Sequence, residues 1–509
     1  MWQIVLYPRL NMSQSPTAST VRLPNVHAIG FTGDVHLGDE GICRGAIDQF
    51  LRDKQAVAGR TAYGVSSIAP GASMVFAESC VALGVPLRVL LPAPRDLLLR
   101  GYNSRERERF EHLIESALSV EIIAGEDSAD EQHYECGLQI VQQCQELLAV
   151  WDGQRPQDMS GPGDIVEFAK QIGRPVSWIH SETGVVQELQ PQSEDRPIYE
   201  RELDFLNQLP CTGTAADEAD GPKGLAESWL AKLDANATQL APEVRKLAAL
   251  PIVFTALAAF ATAQEGKHLS SVWSAAGAVL GMTAAVLPVV LKLAKRQSLW
   301  VRVRTASEVT RSVLALWETP VRYQVVGQEI LPELSGMVRT LDLLKAQAGR
   351  ESRVGLREFR ERYVEERLLD QKGYFLRASD RSAGMGRRYR MFSKVCTVSA
   401  ILLSAWMFGS HSLLKLSYEV SGGAWLSMLS SALFQLATVA GALLVVNECE
   451  RRERRYHEIH RALADWEVEF RAMRTWPPVI EVVNTIERAL LVELLEWRSL
   501  LQNMKMPRN

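Results

Sequence analysis

Residues 424–446 read AWLSMLSSALFQLATVAGALLVV. A helix needs about 20 mostly apolar residues to cross a bilayer, because lipid offers its backbone no hydrogen-bond partners. This run has that length and holds no Asp, Glu, Lys or Arg, and the same is true of runs 247–263, 270–291 and 395–414. Four crossings are expected. Run 247–263 is the shortest and carries Pro251, so a buried or re-entrant segment is its alternative reading.

Basic residues set the orientation. Arg245 and Lys246 precede the first run, Lys292, Lys295 and Arg296 close the second, Arg387, Arg388, Arg390 and Lys394 precede the third, and Arg451, Arg452, Arg454 and Arg455 follow the fourth. The short connections 264–269 and 415–423 hold only Lys267 and Lys415. The expected topology is two tight hairpins in a plasma membrane, with soluble parts and both termini in the cytoplasm.

The remaining composition narrows the class. A chain of 509 residues has room for about three domain-sized units. Its net charge of −4 argues against binding a DNA or RNA polymer, which relies on a basic excess. Seven scattered cysteines without a C-x-x-C pair fit a reducing compartment and no zinc site, and no cofactor is expected. Residues 1–24 read as a disordered lead-in rather than a secretory signal, lacking a basic start and a small-residue cleavage site.

Residues 25–190 alternate strand-like runs (27–32, 64–69, 87–91, 120–123, 147–151 and 176–180) with helical ones (45–51, 73–83, 105–118, 139–149 and 164–172). That alternation predicts an α/β head, a Rossmann-like parallel sheet flanked by helices, followed by an all-α region. Such sheets bind ligands at the carboxyl ends of their strands. There the chain places Gly33 and Asp34, then Ser66 followed by Pro70, Gly71 and Ala72, then Asp152 and Gly153, and finally Gly161, Gly163 and Asp164. Glycine lets a backbone approach a ligand, and a helix N-terminus offers N–H groups to phosphate. Together these residues predict a pocket for a phosphorylated nucleotide, with Asp34, Asp152 and Asp164 oriented to ribose hydroxyls. Each turn by itself is equally ordinary connection chemistry, and Asp164 is equally a helix cap.

The stretch 66–72 (SSIAPGA), then Phe76-Ala77-Glu78 and 83–92 (LGVPLRVLLP), resembles the SLOG superfamily, which groups DNA-processing proteins with nucleotide phosphoribohydrolases. Residues 150–153 (VWDG), 163–167 (GDIVE) and 173–176 (GRPV) continue the pattern in the same order. The resemblance implies a nucleotide-binding sheet. Its enzymatic branch carries P-G-G-x-G-T-x-x-E, of which Gly161, Gly163 and Glu167 fit, whereas Met159, Ser160 and Asp164 depart. A sensor is therefore the better fit than a hydrolase, for which Glu78 and Glu167 are the candidate catalytic residues.

An acidic, Pro- and Gly-rich stretch, 191–240, reads as a linker before the first hairpin, 241–296. Residues 297–393 form a cytosolic helical insert, 394–447 the second hairpin, and 448–509 cytosolic helices that begin as a continuation of the fourth span. Val479, Val483, Ile486, Leu490, Leu494, Trp497 and Leu501 form a coiled-coil-like stripe, suited to packing on the insert or to subunit association. The ending 486–497 is similar to the tail of SLATT-type membrane modules, which accompany SLOG heads in bacterial defence systems; this implies an effector acting on the inner membrane.

Within the apolar runs, Gly277 and Gly281 form a G-x-x-x-G pair suited to close helix approach. Ser427, Ser431, Gln435 and Thr438 fall on one face of the fourth run, where they either bond neighbouring helices or line water in an oligomeric pore. His457 and His460 stand three apart, not the four of a zinc-protease helix. Three functions remain in view: an effector gated by a cyclic oligonucleotide or ADP-ribose-type messenger, which damages the membrane as a homo-oligomer; a membrane-tethered enzyme cleaving a nucleotide or NAD-like molecule; and an anchor that recruits a protein partner.

Overall fold

The central strand β1 (Asn25–Gly33) is buried on both faces, with Val26 and Ala28 in one core and Ile29 and Phe31 in the other. A strand covered on both sides needs apolar side chains on successive residues, and this one has them. In this computed structural model, which describes residues 21–57, 60–123, 128–153, 161–190, 200–211, 221–262, 270–293, 296–319, 332–349, 354–412 and 423–502, the chain divides into two units. The first comprises Met1–Lys232 and Arg322–Arg353, the second Leu233–Val321 and Val354–Asn509.

The first unit is built on a seven-stranded sheet ordered β4-β3-β2-β1-β5-β6-β7. Its further strands are β2 (Arg60–Ser66), β3 (Leu87–Leu91), β4 (Ser119–Ile122), β5 (Glu146–Trp151), β6 (Val176–His180) and β7 (Val186–Leu189). All neighbours pair in parallel except β7, which returns antiparallel on β6 and was not anticipated from the sequence. One face carries α1 (Glu40–Gln55), α2 (Ala72–Ala82) and, after the short α3 (Arg95–Leu98), α4 (Ser104–Ser116). The other carries α5 (Ala129–Gln143) and α6 (Pro162–Gln171). Helix α2 is mostly apolar and mostly buried, its Phe76 stacked on Phe31 at 4.5 Å. Helix α5 begins ten residues before the expected 139, because Ser128 and Glu131 form a capping box at its N-terminus.

A buried charge sits at the opposite, amino-terminal end of the strands. Glu146 accepts hydrogen bonds from His27 Nε2 (3.0 Å), Lys54 Nζ (2.8 Å) and Ser177 Oγ (3.0 Å). Desolvation opposes its charge, yet the His27 and Lys54 hydrogen bonds outweigh that and hold the carboxyl at about 2, against an ordinary 4.5. A carboxylate depressed on folding contributes stability that is complete above about 4.5 and is lost as pH falls through the folded value. Urea titrations of the full chain between pH 5 and 2 should show a loss of about 3 kcal/mol, and Glu146→Gln should flatten that dependence.

Several segments expected outside the head belong to it. Val21 and Leu23 of the expected lead-in are buried; residues 1–20 lie outside the described residues. Within the expected linker, α7 (Glu200–Asn207) holds the incoming chain, with Asn207 Oδ1 accepting from Leu23 N–H at 3.0 Å. Helix α8 (Gly221–Thr262) begins in the same region, and Trp229 on it is fully buried. Its Lys232 donates to the carbonyls of Val21 and Asn207, both at 3.0 Å. The expected insert also divides. Helix α11 (Ser335–Gln347) joins the first unit, Thr340 Oγ1 donating to the Pro24 carbonyl at 3.0 Å and Leu343 entering the core behind β1.

The second unit is helical. After the remainder of α8 come α9 (Ser270–Leu293) and α10 (Arg296–Ala315), then α12 (Leu356–Arg362), a π-helical turn over Tyr363–Leu368, α13 (Leu369–Ser412), α14 (Gly423–Val446), α15 (Cys449–Ala472) and α16 (Trp476–Gln502). The stripe on α16 buries Val479, Val483 and Ile486 inside the chain, where α16 packs on α10; from residue 492 onward its side chains lie outside the described residues. The fourth apolar run does not continue unbroken. Glu448 adopts φ +48, a left-handed conformation that separates α14 from α15.

Among the described residues two helical stretches are long and apolar enough to cross a membrane, Leu356–Ser410 and Trp425–Ala472, rather than the expected four. The other two expected runs fall on α8 and α9, where the apolar stretches among the described residues are Leu250–Thr262 and Ser271–Leu287. Only 11% and 18% of the two long apolar windows is buried within the protein. Ile401, Leu402, Trp406 and Phe408 on α13 and Trp425, Leu429 and Val445 on α14 are exposed, a distribution opposite to that of a soluble core helix.

Candidate functional site

The sheet order places a topological switch between β1 and β5. From β1 the chain steps outward through β2, β3 and β4, then returns to β5 on the other side of β1 and continues to β6. Loops leaving the carboxyl ends of β1 and β5 therefore diverge to opposite faces, the arrangement at which open α/β sheets bind their ligands. Gly33 and Asp34 end β1, and Asp152 and Gly153 follow β5.

The structure brings these four residues together with the start of α2. Asp34 N–H donates to the Val150 carbonyl and its own carbonyl accepts from Ala72 N–H, both at 2.9 Å. A Cβ on Gly33 would lie 2.6 Å from that of Ala72, so the glycine is what allows α2 to begin against the strand. Gly71 has φ +86, and a Cβ there would lie 2.2 Å from the Val35 carbonyl oxygen and 2.5 Å from that of Asp34. No other residue fits. Ser66 ends β2 fully buried, its Oγ accepting from Ile68 N–H at 3.4 Å. Ile68 holds φ +49, a rare conformation for a β-branched residue and a strained feature that sequence reading missed. Pro70 follows in the same turn.

Two carboxylates meet at the switch. The Asp152 backbone N–H donates to the Asp34 carboxylate, while burial and the Asp152 charge push Asp34 above its usual value against the pull of His36 and that N–H. Paired carboxylates repel phosphate and accept from hydroxyl or amine donors. The acid pair suits hydroxyl or amine donors, while at the start of α2 the N–H groups of Ala72 and Met74 already donate to the carbonyls of Asp34 and Ala69. Asp152, Gly153, Val35 and His36 are exposed, so among the described residues the rim is open to solvent.

The third helix start is α6. Gly161 is its N-cap without a side-chain bond, Pro162 occupies the first turn, and Gly163 and Asp164 follow. Asp164 is therefore not the cap; it lies in the first turn, its N–H donating to the Gly161 carbonyl at 3.2 Å. Residues 154–160, including Met159 and Ser160, lie outside the described residues.

The candidate catalytic carboxylates stand apart from this rim chemistry. Glu78 on α2 accepts from Arg44 at 2.5 Å and from Arg109 Nε at 2.5 Å and Nη2 at 2.9 Å. Burial works against its charge, but the two guanidinium groups prevail and hold it below the usual carboxylate value. A carboxylate fixed between two arginines is an acceptor, not a proton shuttle. Glu167 lies on α6 beside Lys170, at 2.9 Å.

The apolar hairpins supply a second group of sites. Gly277 and Gly281 face α8: a Cβ on Gly277 would lie 2.8 Å from Thr262 Cγ2, and one on Gly281 would meet Ala258 at 4.0 Å. Phe260 meets Trp273 edge-on at 6.2 Å across the same seam. The G-x-x-x-G pair is therefore spent inside one chain. Between α13 and α14, Ser427, Ser431 and Gln435 line an open groove of about 440 Å³ together with Ser404, Met407, Ser430 and Phe434. Thr438 is not part of it; its hydroxyl donates to the Phe434 carbonyl of its own helix at 3.0 Å. Ser404 and Ser430 were not singled out in the sequence, where each is a lone hydroxyl in an apolar run. His460 Nδ1 contacts the Lys372 carbonyl at 3.1 Å, and among the described residues no third metal ligand joins His457 and His460.

The chain matches no family model and no curated protein. Its function is argued from these sites.

Proposed function

We propose that this chain is a membrane-bound effector whose SLOG-like head senses a nucleotide-derived messenger at the β1–β5 switch and, as a homo-oligomer, opens or damages a bacterial inner membrane. The observation that carries the reading is that a mostly parallel sheet with a β1–β5 switch and two long, apolar, exposed helical stretches occur in one chain. Helix α8 contributes Trp229 and Lys232 to the head and, further along, Ala258 and Thr262 to the seam with α9. An equilibrium in the head can reach the membrane only if the ligand binds its two states unequally.

The proposal includes all four crossings, with both termini cytoplasmic. In support, α9 has 24 residues, about 36 Å at 1.5 Å per residue, and Val272, Val279, Met282 and Val286 on it are exposed. Water would oppose that exposure; lipid would not.

The test is leakage of a trapped dye from liposomes carrying the full chain. Cyclic oligonucleotides and ADP-ribose-type compounds are added in turn, with binding followed in parallel. One class should bind and release dye, and Asp152→Ala should abolish both responses. A nucleotide that binds tightly without leakage removes the effector reading, and release of free base on binding replaces it with the hydrolase.

A further inference from the structure

The groove between α13 and α14 is polar where both helices are otherwise apolar. Ser404 and Ser430 satisfy one another at 2.8 Å, and Ser430 Oγ also lies 3.2 Å from the Ala400 carbonyl. Ser427, Ser431 and Gln435 differ. Among the described residues none is a hydrogen-bond partner to their side chains, although two hydroxyls and an amide carry several donors and acceptors. They stand at successive fourth positions of α14, so they share a face, while Leu429 and Leu436 are exposed on the same helix.

Polar groups without partners in hydrocarbon are costly, and the groove is far larger than the ~10–15 Å³ that admits one water. Packing within the chain leaves the cost standing, because α13 already forms the opposite wall. In the first hairpin, Gly277 and Gly281 are closed off by Thr262 and Ala258.

We propose that this groove is hydrated in the membrane and forms one wall of a route for water and small hydrated ions, shielded from lipid by second copies of the same chain. The inference deepens the effector reading and rests on it. The lining holds no Asp, Glu, Lys or Arg, so ions of either sign are accommodated by hydroxyl and amide groups that both donate and accept.

Cysteine accessibility in membranes carrying the full-length protein tests it. Ser427→Cys, Ser431→Cys, Gln435→Cys, Leu429→Cys and Leu436→Cys are each treated with a membrane-impermeant, water-soluble thiol reagent, and the rate is read above that of the unsubstituted chain. Positions 427, 431 and 435 should react at least about tenfold faster than 429 and 436, since thiolate forms and reacts in water. Equal protection at all five positions, or equal reaction at all five, overturns the groove as a water route. Leakage driven by a nucleotide is a separate measurement, so a dry groove in a protein that still leaks removes this route and leaves the gated effector standing.

Discussion

Glu487→Ala should lower the stability of the helical unit by roughly 3–5 kcal/mol, the usual cost of leaving one member of a buried ion pair uncompensated. Arg367 holds this carboxylate in a fork, Nε to Oε1 at 3.0 Å and Nη2 to Oε2 at 2.7 Å, and Tyr363 Oη donates to Oε1 at 2.8 Å. Side-chain exposure is 1% for Glu487 and 8% for Arg367, so little solvent is present to replace either partner. Positions 363 and 367 lie four apart within the π-helical turn Tyr363–Leu368, a spacing at which helical side chains share a face, and both reach one carboxylate. Denaturant unfolding in detergent, followed by tryptophan fluorescence, measures the loss. Arg367→Met combined with Glu487→Leu should recover most of it, because an apolar pair removes the stranded charge. A Glu487→Ala variant as stable as the parent would show that the fork contributes nothing.

Gly71→Ala should cost more than about 3 kcal/mol and abolish the nucleotide binding proposed for the head, whereas Gly45→Ala should stabilise by about 0.5–1 kcal/mol. The difference lies in the surroundings. A methyl group on Gly71 meets two backbone carbonyl oxygens that cannot move without displacing the end of β1, and its φ of +86 is itself unfavourable for alanine. A methyl group on Gly45, inside α1, meets nothing within 4 Å. Thermal unfolding of the two variants side by side separates the effects, and similar melting temperatures would refute the close approach of α2 to β1.

The sheet and its rim were largely legible because their signals are local. Residues 147–151 are continuously apolar, as a strand buried on both faces requires, and Gly33 and Gly153 sit at strand ends. Helix α11 was not legible as part of the head. It buries Arg339 and Asp342 at 2% and 3% exposure, so its charges suggest a solvated surface that the structure does not give it. Its tie to Pro24 also spans 316 residues, a distance over which periodicity carries no information. The break at Glu448 escaped for the opposite reason, since neither glycine nor proline marks it. The groove was half legible: the face bearing Ser427, Ser431 and Gln435 shows in the spacing, while Ser404 on α13 is brought to it only by folding.

The placement of α11 fixes an order of manufacture. Leu343, a member of the core behind β1, leaves the ribosome after both helices of the first hairpin have already emerged. Translation thus delivers the first hairpin before the sheet unit can be finished, and a product truncated near residue 320 would lack the Leu343 side chain from the core that holds Val26 and Cys144. A cell making this chain would hold no completed sheet unit adrift from its hairpin.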